Sequence, residues 1–402
     1  MPSRVLIVTW EYPPIVEGGL ARHARKLSEQ LVRDGIEVHV LTRGDRDGPV
    51  REERHGVIVH RVPEPAYPPG LNAFVGWVRQ LNDDLLAAGR ALARELDVDL
   101  VHGHDWLVAI AAKRLADAVG CPLVATVHAT EFGRHQGWVH VAPQSDIHRT
   151  ERWMVHTADQ VIVCSHYMRG HVADIFDIDE SRIAVIPNGI DPGDLQPVPD
   201  VTTLRARFAE PHERLILLVG RLVYEKGFQV ALDALGGPDG VLEHVPDVRF
   251  LVAGSGTADA DLRAQATRLG LDEHGTFLGW IGDDALHSLY RIADLTVVPS
   301  LYEPFGLVAL EAMASDCPCI VADTGGLREV VPPGEQVGLR FNGGDAKHLG
   351  TMIERLLTDA DLRDRLVVQA REHVLAFDWV DVARQTREVY DALLTGRVTR
   401  VR

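Results

Sequence analysis

From end to end the chain alternates short apolar runs with longer stretches whose apolar residues recur every three or four positions. In the first half the runs are Val5–Trp10, Ile36–Leu41, Val57–Val62, Leu100–His104, Leu123–His128, Val161–Ser165 and Ile183–Pro187. In the second half they are Leu215–Gly220, Phe250–Gly254, Thr276–Gly279, Leu295–Ser300, Cys319–Ala322 and Val337–Phe341. Several are continuous in Val, Ile and Leu, the pattern of a strand covered on both faces. The intervening stretches, among them Leu71–Leu96 and Asp105–Ala118, read as helices. Strand, helix, strand in repetition predicts βαβ units and parallel sheets.

The pattern breaks in the middle. Asn188-Gly189-Ile190-Asp191-Pro192-Gly193 opens a turn-rich segment that Pro197, Pro199 and Pro211 continue, which suits a linker between two α/β halves. A new strand begins near Leu215. At the far end Asp378 to Leu394 reads as an amphipathic helix with Trp379, Val382, Ala383, Val389 and Leu393 on one stripe. No strand follows it, so it must dock on something already built.

Composition narrows the classes. A chain of 402 residues is long enough for two or three domains. Its net charge of -17 argues against a broad nucleic-acid surface, because phosphate binding needs a basic stripe. An acidic protein that binds an anion does it with a few placed cations and backbone N–H groups. Four cysteines, Cys121, Cys164, Cys317 and Cys319, are too few for a disulfide framework. Cys317 and Cys319 have the wrong spacing for a zinc knuckle and read as small apolar strand residues. The first apolar run is about half a signal-peptide core, and no run approaches the ~20 residues of a membrane span. A soluble cytoplasmic protein is expected.

The chemistry-bearing residues cluster after the predicted strands. Val5–Trp10 leads through Tyr12-Pro13-Pro14 to Gly18-Gly19-Leu20 and a helix, which predicts a turn whose free N–H groups cradle an anion. Arg22, Arg25 and Lys26 on that helix read more simply as a solvated face. His102, His104 and Asp105 end one strand and His128 the next, and in open α/β sheets ligands bind at those ends. His102, His104, His128 and Glu131 have the chemistry of metal ligands, but substrate contacts or structural histidines are the better readings.

In the second half Gly220-Arg221 closes a strand and Lys226-Gly227 opens a helix. The chain has only four lysines, so a lysine here suggests that a point charge on a flexible stem is wanted. Arg221 and Lys226 together could neutralise a diphosphate. Gly254-Ser255-Gly256 is half a dinucleotide fingerprint, without the third glycine. The segment Pro299 to Met313 predicts a strand end at Ser300 and a helix from near Pro304. Glu303 then sits at the helix mouth beside the N–H groups of Gly306 and Leu307. Glu311 lies inside an otherwise apolar helix, and a buried carboxylate needs a partner, such as a ribose or sugar diol.

Taken together, Gly18-Gly19-Leu20, His104-Asp105-Trp106, Thr126-Val127-His128, Asn188-Gly189-Ile190-Asp191, Arg221 with Lys226-Gly227, Glu303 seven residues before Glu311, and Phe377-Asp378-Trp379 resemble the retaining glycosyltransferases of family 4 over nearly the whole chain. Trp10 to Pro14, His128 to Glu131 with Gly133-Arg134-His135, and Tyr302 to Glu311 look more closely like the actinobacterial α-1,4-glucosyltransferases of the glycogen-synthase-like and methylglucose lipopolysaccharide group.

The resemblance implies an α/β fold of the GT-B type: two Rossmann-like, doubly wound parallel-sheet domains facing a cleft. The expected division is an acceptor-side domain at 1–195, rejoined by the returning helix in 378–402, and a nucleotide-sugar domain at 196–377. It implies that Arg221 and Lys226 hold the diphosphate, and that Glu311 holds the ribose. Glu303, Gly306 and Leu307 would touch the donor sugar and phosphate, Asp105 and His128 would lie at the sugar, and Gly18 and Gly19 would approach the diphosphate. Glu131, Arg134 and His135 are the implied acceptor residues. No cofactor and no metal are expected, only a UDP-, ADP- or GDP-glucose donor and a glucan or oligosaccharide acceptor. Retention by front-face attack lets the leaving phosphate take the acceptor proton. A catalytically idle sugar-nucleotide module would keep Arg221, Lys226 and Glu311 but could lose His128 or Glu303, and both are present. The Glu303/Glu311 and His-Ala-Thr-Glu pattern argues against a sugar-nucleotide 2-epimerase. The incomplete fingerprint argues against a Rossmann dehydrogenase.

Overall fold

Apolar runs without alternation can be stable as strands only where helices cover both faces, and this chain builds two such sheets. The computed structural model describes residues 4–45, 48, 50–68, 70–195 and 200–396. Within them the chain divides into two units, one of residues 1–189 with 379–402 and one of residues 190–378. Pro197, Pro199, the expected boundary between 195 and 196, and the last six residues of the expected returning segment lie outside the described residues.

The strands of the first unit are β1 (Arg4–Val8), β2 (Glu37–Gly44), β3 (Arg51–Arg54), β4 (Val57–Pro63), β5 (Leu100–His104), β6 (Leu123–Val127), β7 (Gln160–Val163) and β8 (Ile183–Val185). Their spatial order is β3-β4-β2-β1-β5-β6-β7-β8. All neighbours run parallel except β3 and β4, an antiparallel hairpin at the edge. Parallel strands alone were expected; Arg-Glu-Glu-Arg carries no apolar run, so this edge strand left no hydrophobic trace. Val5 pairs with Val38 on one side and Leu100 on the other, which makes β1 the centre. The helix Trp379–Leu394 packs into this unit's core with Val382, Ala383, Val389 and Tyr390 buried beside Ala24, Leu27 and Leu31. Gly189 has no room for a side chain, since a Cβ there would stand 2.6 Å from the Trp379 ring.

The second unit holds β9 (Arg214–Val219), β10 (Val248–Ala253), β11 (Gly275–Gly279), β12 (Leu295–Val298), β13 (Cys319–Ala322) and β14 (Leu339–Phe341). The order β11-β10-β9-β12-β13-β14 is the doubly wound 3-2-1-4-5-6 arrangement, and every pair is parallel. Three local readings are corrected. Pro304 does not start a helix: Ser300 to Gly306 is a loop, Gly306 has φ +123°, and the helix is Leu307–Ala314. The stretch from Asp105 is a one-turn 3-10 helix, Trp106–Val108, followed by the helix Ala109–Val119. Cys317 is buried in the turn before β13, while Cys319 lies on the strand.

Candidate active site

Each sheet reverses its winding beside its first strand, and a crevice opens at the carboxyl ends of the strands that flank the reversal. In the second unit those strands are β9 and β12. The loop after β9 carries Arg221 and Lys226, and the loop after β12 carries Glu303 and Gly306. The two loops are locked together: Leu301 and Tyr302 N–H donate to the Glu225 carbonyl at 2.8 and 3.2 Å. Gly227 sits at φ +70°, and a Cβ there would lie 1.9 Å from the Pro299 carbonyl oxygen, so only glycine lets the loops approach.

That closeness sets the charges. Lys226 Nζ donates to Glu303 Oε2 at 2.7 Å, and Ser300 Oγ donates to the same oxygen at 3.1 Å. Both members of the pair are mostly buried, with side chains 21% and 11% exposed. Arg221 stands further out, 55% exposed, and approaches Glu225 at 3.7 Å. The two cations therefore differ in exposure: Lys226 is held against Glu303, and Arg221 lies nearer solvent beside Glu225. Glu311 is buried, and Tyr290 Oη donates to its Oε2 at 2.9 Å. The protein's own tyrosine thus meets part of the need for a partner that sequence reasoning assigned to a diol.

In the first unit the reversal lies between β1 and β5. After β1 comes the glycine turn, and its anion cradle is already filled. Glu11, itself buried, accepts hydrogen bonds from the N–H groups of Glu17 and Gly18. Burial pushes the Glu11 carboxyl up to about 7. Gly19 opens the helix Gly19–Arg33. Glu11 was visible in the sequence after the first strand, but nothing there showed it folding back onto the turn.

His102 and His104 on β5, His128 just after β6 and His23 on the helix Gly19–Arg33 form one cluster. His102 is held on both nitrogens, by Tyr390 Oη and by Thr126 Oγ1, each at 2.7 Å. That removes it from the metal-ligand set considered above. His104 Nδ1 meets His128 Nε2 at 3.0 Å, and His23 Nδ1 meets Asn188 Oδ1 at 2.8 Å. His23, His104 and His128 bring one nitrogen each within 4.8 Å of one another, a grouping in which His23 was not anticipated. Burial lowers all four imidazoles, His128 to about 3, so they act as neutral donors and acceptors. Asp105, at the sparsely populated φ of +61°, points into the protein: its Oδ1 accepts the His128 N–H at 2.8 Å. Burial raises Asp105 to about 6. It orients the His128 segment, a task that the strand-end position alone could not distinguish from touching a sugar.

Glu131 and Arg134 bound the one-turn helix Glu131–Arg134, with Thr130 Oγ1 capping the Gly133 N–H, and His135 follows. Glu131 is buried, with Arg134 at 3.8 Å and His135 at 3.1 Å. The chain thus gathers His128, Asp105, Glu131, Arg134 and His135 at one end of the first sheet, and Arg221, Lys226, Glu303, Gly306 and Leu307 at one end of the second. Among the described residues no helix is long and apolar enough to cross a membrane.

Comparison with known proteins identifies the family. A model of glycosyl transferases group 1 matches residues 200–373, and a model of glycosyltransferase family 4 matches residues 17–194. The chain is 36% identical to a glycogen synthase of Mycobacterium tuberculosis, over 98% of this chain and 95% of that one. It is 30% identical to a D-inositol 3-phosphate glycosyltransferase of Corynebacterium efficiens, over 98% and 96% of the two chains. Among solved structures, sucrose-phosphate synthase from Thermosynechococcus elongatus superposes with a TM-score of 0.83 at 26% identity, covering 98% of this chain and 100% of the other.

Proposed function

This chain belongs to glycosyltransferase family 4 and has the GT-B fold, and from that premise we propose that it moves glucose from a nucleoside diphosphate glucose to a carbohydrate acceptor with retention, extending an α-1,4-glucan in the cytoplasm. The observation that carries this reading is the Lys226–Glu303 pair at the winding reversal of the second sheet. A donor diphosphate entering there draws Lys226 from Glu303 and is closed upon by Arg221. Glu303, freed on one side, accepts from donor-sugar hydroxyls, and the N–H groups of Gly306 and Leu307 face the phosphate. Glu311 accepts from the ribose.

As the sugar–oxygen bond breaks, negative charge grows on the diphosphate, and cations fixed beforehand stabilise that charge. Built-in cations do the work of a divalent ion, so the reaction proceeds in EDTA. The acceptor hydroxyl attacks the face the diphosphate leaves, and its proton passes to the leaving phosphate oxygen. In the first unit the glycine turn meets the diphosphate through Gly19, because Glu11 already holds the N–H groups of Glu17 and Gly18. His128, neutral and held at its N–H by Asp105, meets the sugar, while Glu131, Arg134 and His135 meet the acceptor. Family likeness to the glycogen synthase supports a glucan acceptor; likeness to the inositol-phosphate enzyme supports a small acceptor on the same mechanism.

The test incubates the protein with UDP-, ADP- or GDP-glucose, with and without a malto-oligosaccharide, in EDTA. Proton NMR of the product is expected to show a new α-1,4 linkage. A β anomer defeats the retaining mechanism, and recovery only on adding Mg²⁺ or Mn²⁺ defeats metal independence. An α linkage to another acceptor defeats the glucan alone.

A further inference from the structure

The acceptor residues assigned above sit on a very short helix. Glu131–Arg134 is a single turn, far too short to hold its shape by helix propensity. Its direction is fixed from outside. Glu151, on the neighbouring helix Gln144–Thr157, is buried and sends its carboxylate to the first N–H of the turn: Glu131 N–H donates to Oε1 at 2.9 Å and Oε2 at 3.1 Å. At the other end of the same segment Asp105 accepts the N–H groups of His128 and Ala129. Two buried carboxylates, from two different elements, therefore hold the backbone of residues 128–131 at both ends.

The arrangement is costly unless it is used. Three acidic side chains, Asp105, Glu131 and Glu151, are buried in one neighbourhood, and Arg134 is the cation that acts on both Asp105 and Glu151. A plain apolar contact would hold the helix Gln144–Thr157 in place without that burden. A carboxylate at the opening of a helical turn does something an apolar side chain cannot: it fixes the turn's first N–H and its axis. The axis sets where Glu131, Arg134 and His135 point.

Resting on the reading of those three residues as the acceptor site, we propose that Glu151 is a positioning residue for acceptor binding, acting through the Glu131 N–H to aim Glu131, Arg134 and His135. It touches no substrate. Its loss therefore weakens acceptor binding while sparing the affinity for the nucleoside diphosphate, whose cations Arg221 and Lys226 stand on the other unit.

The experiment uses the full chain, UDP-glucose or whichever nucleoside diphosphate glucose the wild type accepts, and maltohexaose. Glu151→Ala is expected to raise the KM for maltohexaose at least tenfold, with the affinity for the nucleoside diphosphate and the slow donor hydrolysis without acceptor both within twofold of wild type. Glu151→Gln keeps an oxygen for the Glu131 N–H and is expected to restore most of the acceptor KM. If the alanine variant does not fold, Glu151→Asp, whose carboxylate stops one methylene short, carries the same comparison. An unchanged acceptor KM in a folded variant overturns the proposal, as does an equal loss of nucleotide binding. A wild-type enzyme that hydrolyses the donor and transfers to no carbohydrate overturns instead the acceptor reading on which the proposal rests.

Discussion

At the residue scale the question is which charges are poised and which are merely present. Arg221→Ala and Lys226→Ala should each cost about 2–4 kcal/mol of transition-state stabilisation, the range for removing one preorganised group. That is roughly 30- to 1000-fold in rate. Lys226 is the more sensitive, because its loss also leaves the buried Glu303 without its cation. The double variant should lose less than the sum, since both groups act on one charge; strictly additive losses in steady-state rates would place them at separate sites. Glu311 offers a parallel test. Tyr290→Phe removes a donor from a buried carboxylate and should lower stability by about 1–3 kcal/mol in urea unfolding. Glu311→Ala should weaken nucleotide binding in calorimetry, whereas His128→Ala should chiefly lower turnover. Equal binding losses in the last two would erase that division of roles.

At the level of the loops and helices, precision comes from close backbone approach. The loop after β9 and the loop after β12 touch through Gly227, where both the positive φ and the Pro299 carbonyl exclude a side chain. Gly227→Ala must therefore push the two loops apart, and with them Lys226 from Glu303. Nucleotide affinity and thermal stability should fall together. A variant that keeps wild-type affinity would show that the pair's geometry does not govern the donor. Gly189→Ala, which meets the Trp379 ring instead, should cost stability of the first unit without altering nucleotide binding. The contrast separates a glycine that shapes a site from one that seats a helix.

For the whole molecule the buried ionisable groups set a pH dependence whose sign can be worked out. Burial holds His23, His102 and His104 below the ordinary imidazole value, His128 at about 3, and His60 and His171 at about 4. The unfolded chain takes up these protons near pH ~6.5, so as pH falls below that point the unfolded state gains protons the folded state refuses, and stability is lost. Glu11 at about 7, Asp105 at about 6 and the raised Glu151 act oppositely: the folded state binds their protons first, which favours folding as pH falls. The histidines outnumber the carboxylates, so the melting temperature should decline between about pH 6.5 and about pH 4.5. His102→Gln should flatten that decline by about one proton's worth, or ~1.4 kcal/mol per pH unit. A melting temperature that climbs toward acid would mean the carboxylates dominate.

Much of this architecture is local and therefore readable along the chain. Short apolar runs disclosed all six strands of the second sheet and seven of the eight in the first; the hairpin strand Arg51–Arg54 escaped because its burial is slight and its residues polar. The residues that end up at the strand tips were legible too, since a strand's carboxyl end and the turn after it are neighbours in sequence. Their partners were not. Tyr290 on Glu311, Glu303 on Lys226, Asn188 on His23, Tyr390 on His102 and Glu151 on the Glu131 N–H join positions from 20 to 288 residues apart. Periodicity tells which face of an element is buried, but not which distant polar atom will meet it there. That is decided only when sheets register and helices pack, because a buried donor or acceptor must find its partner within about 3 Å, and only the folded chain brings one there.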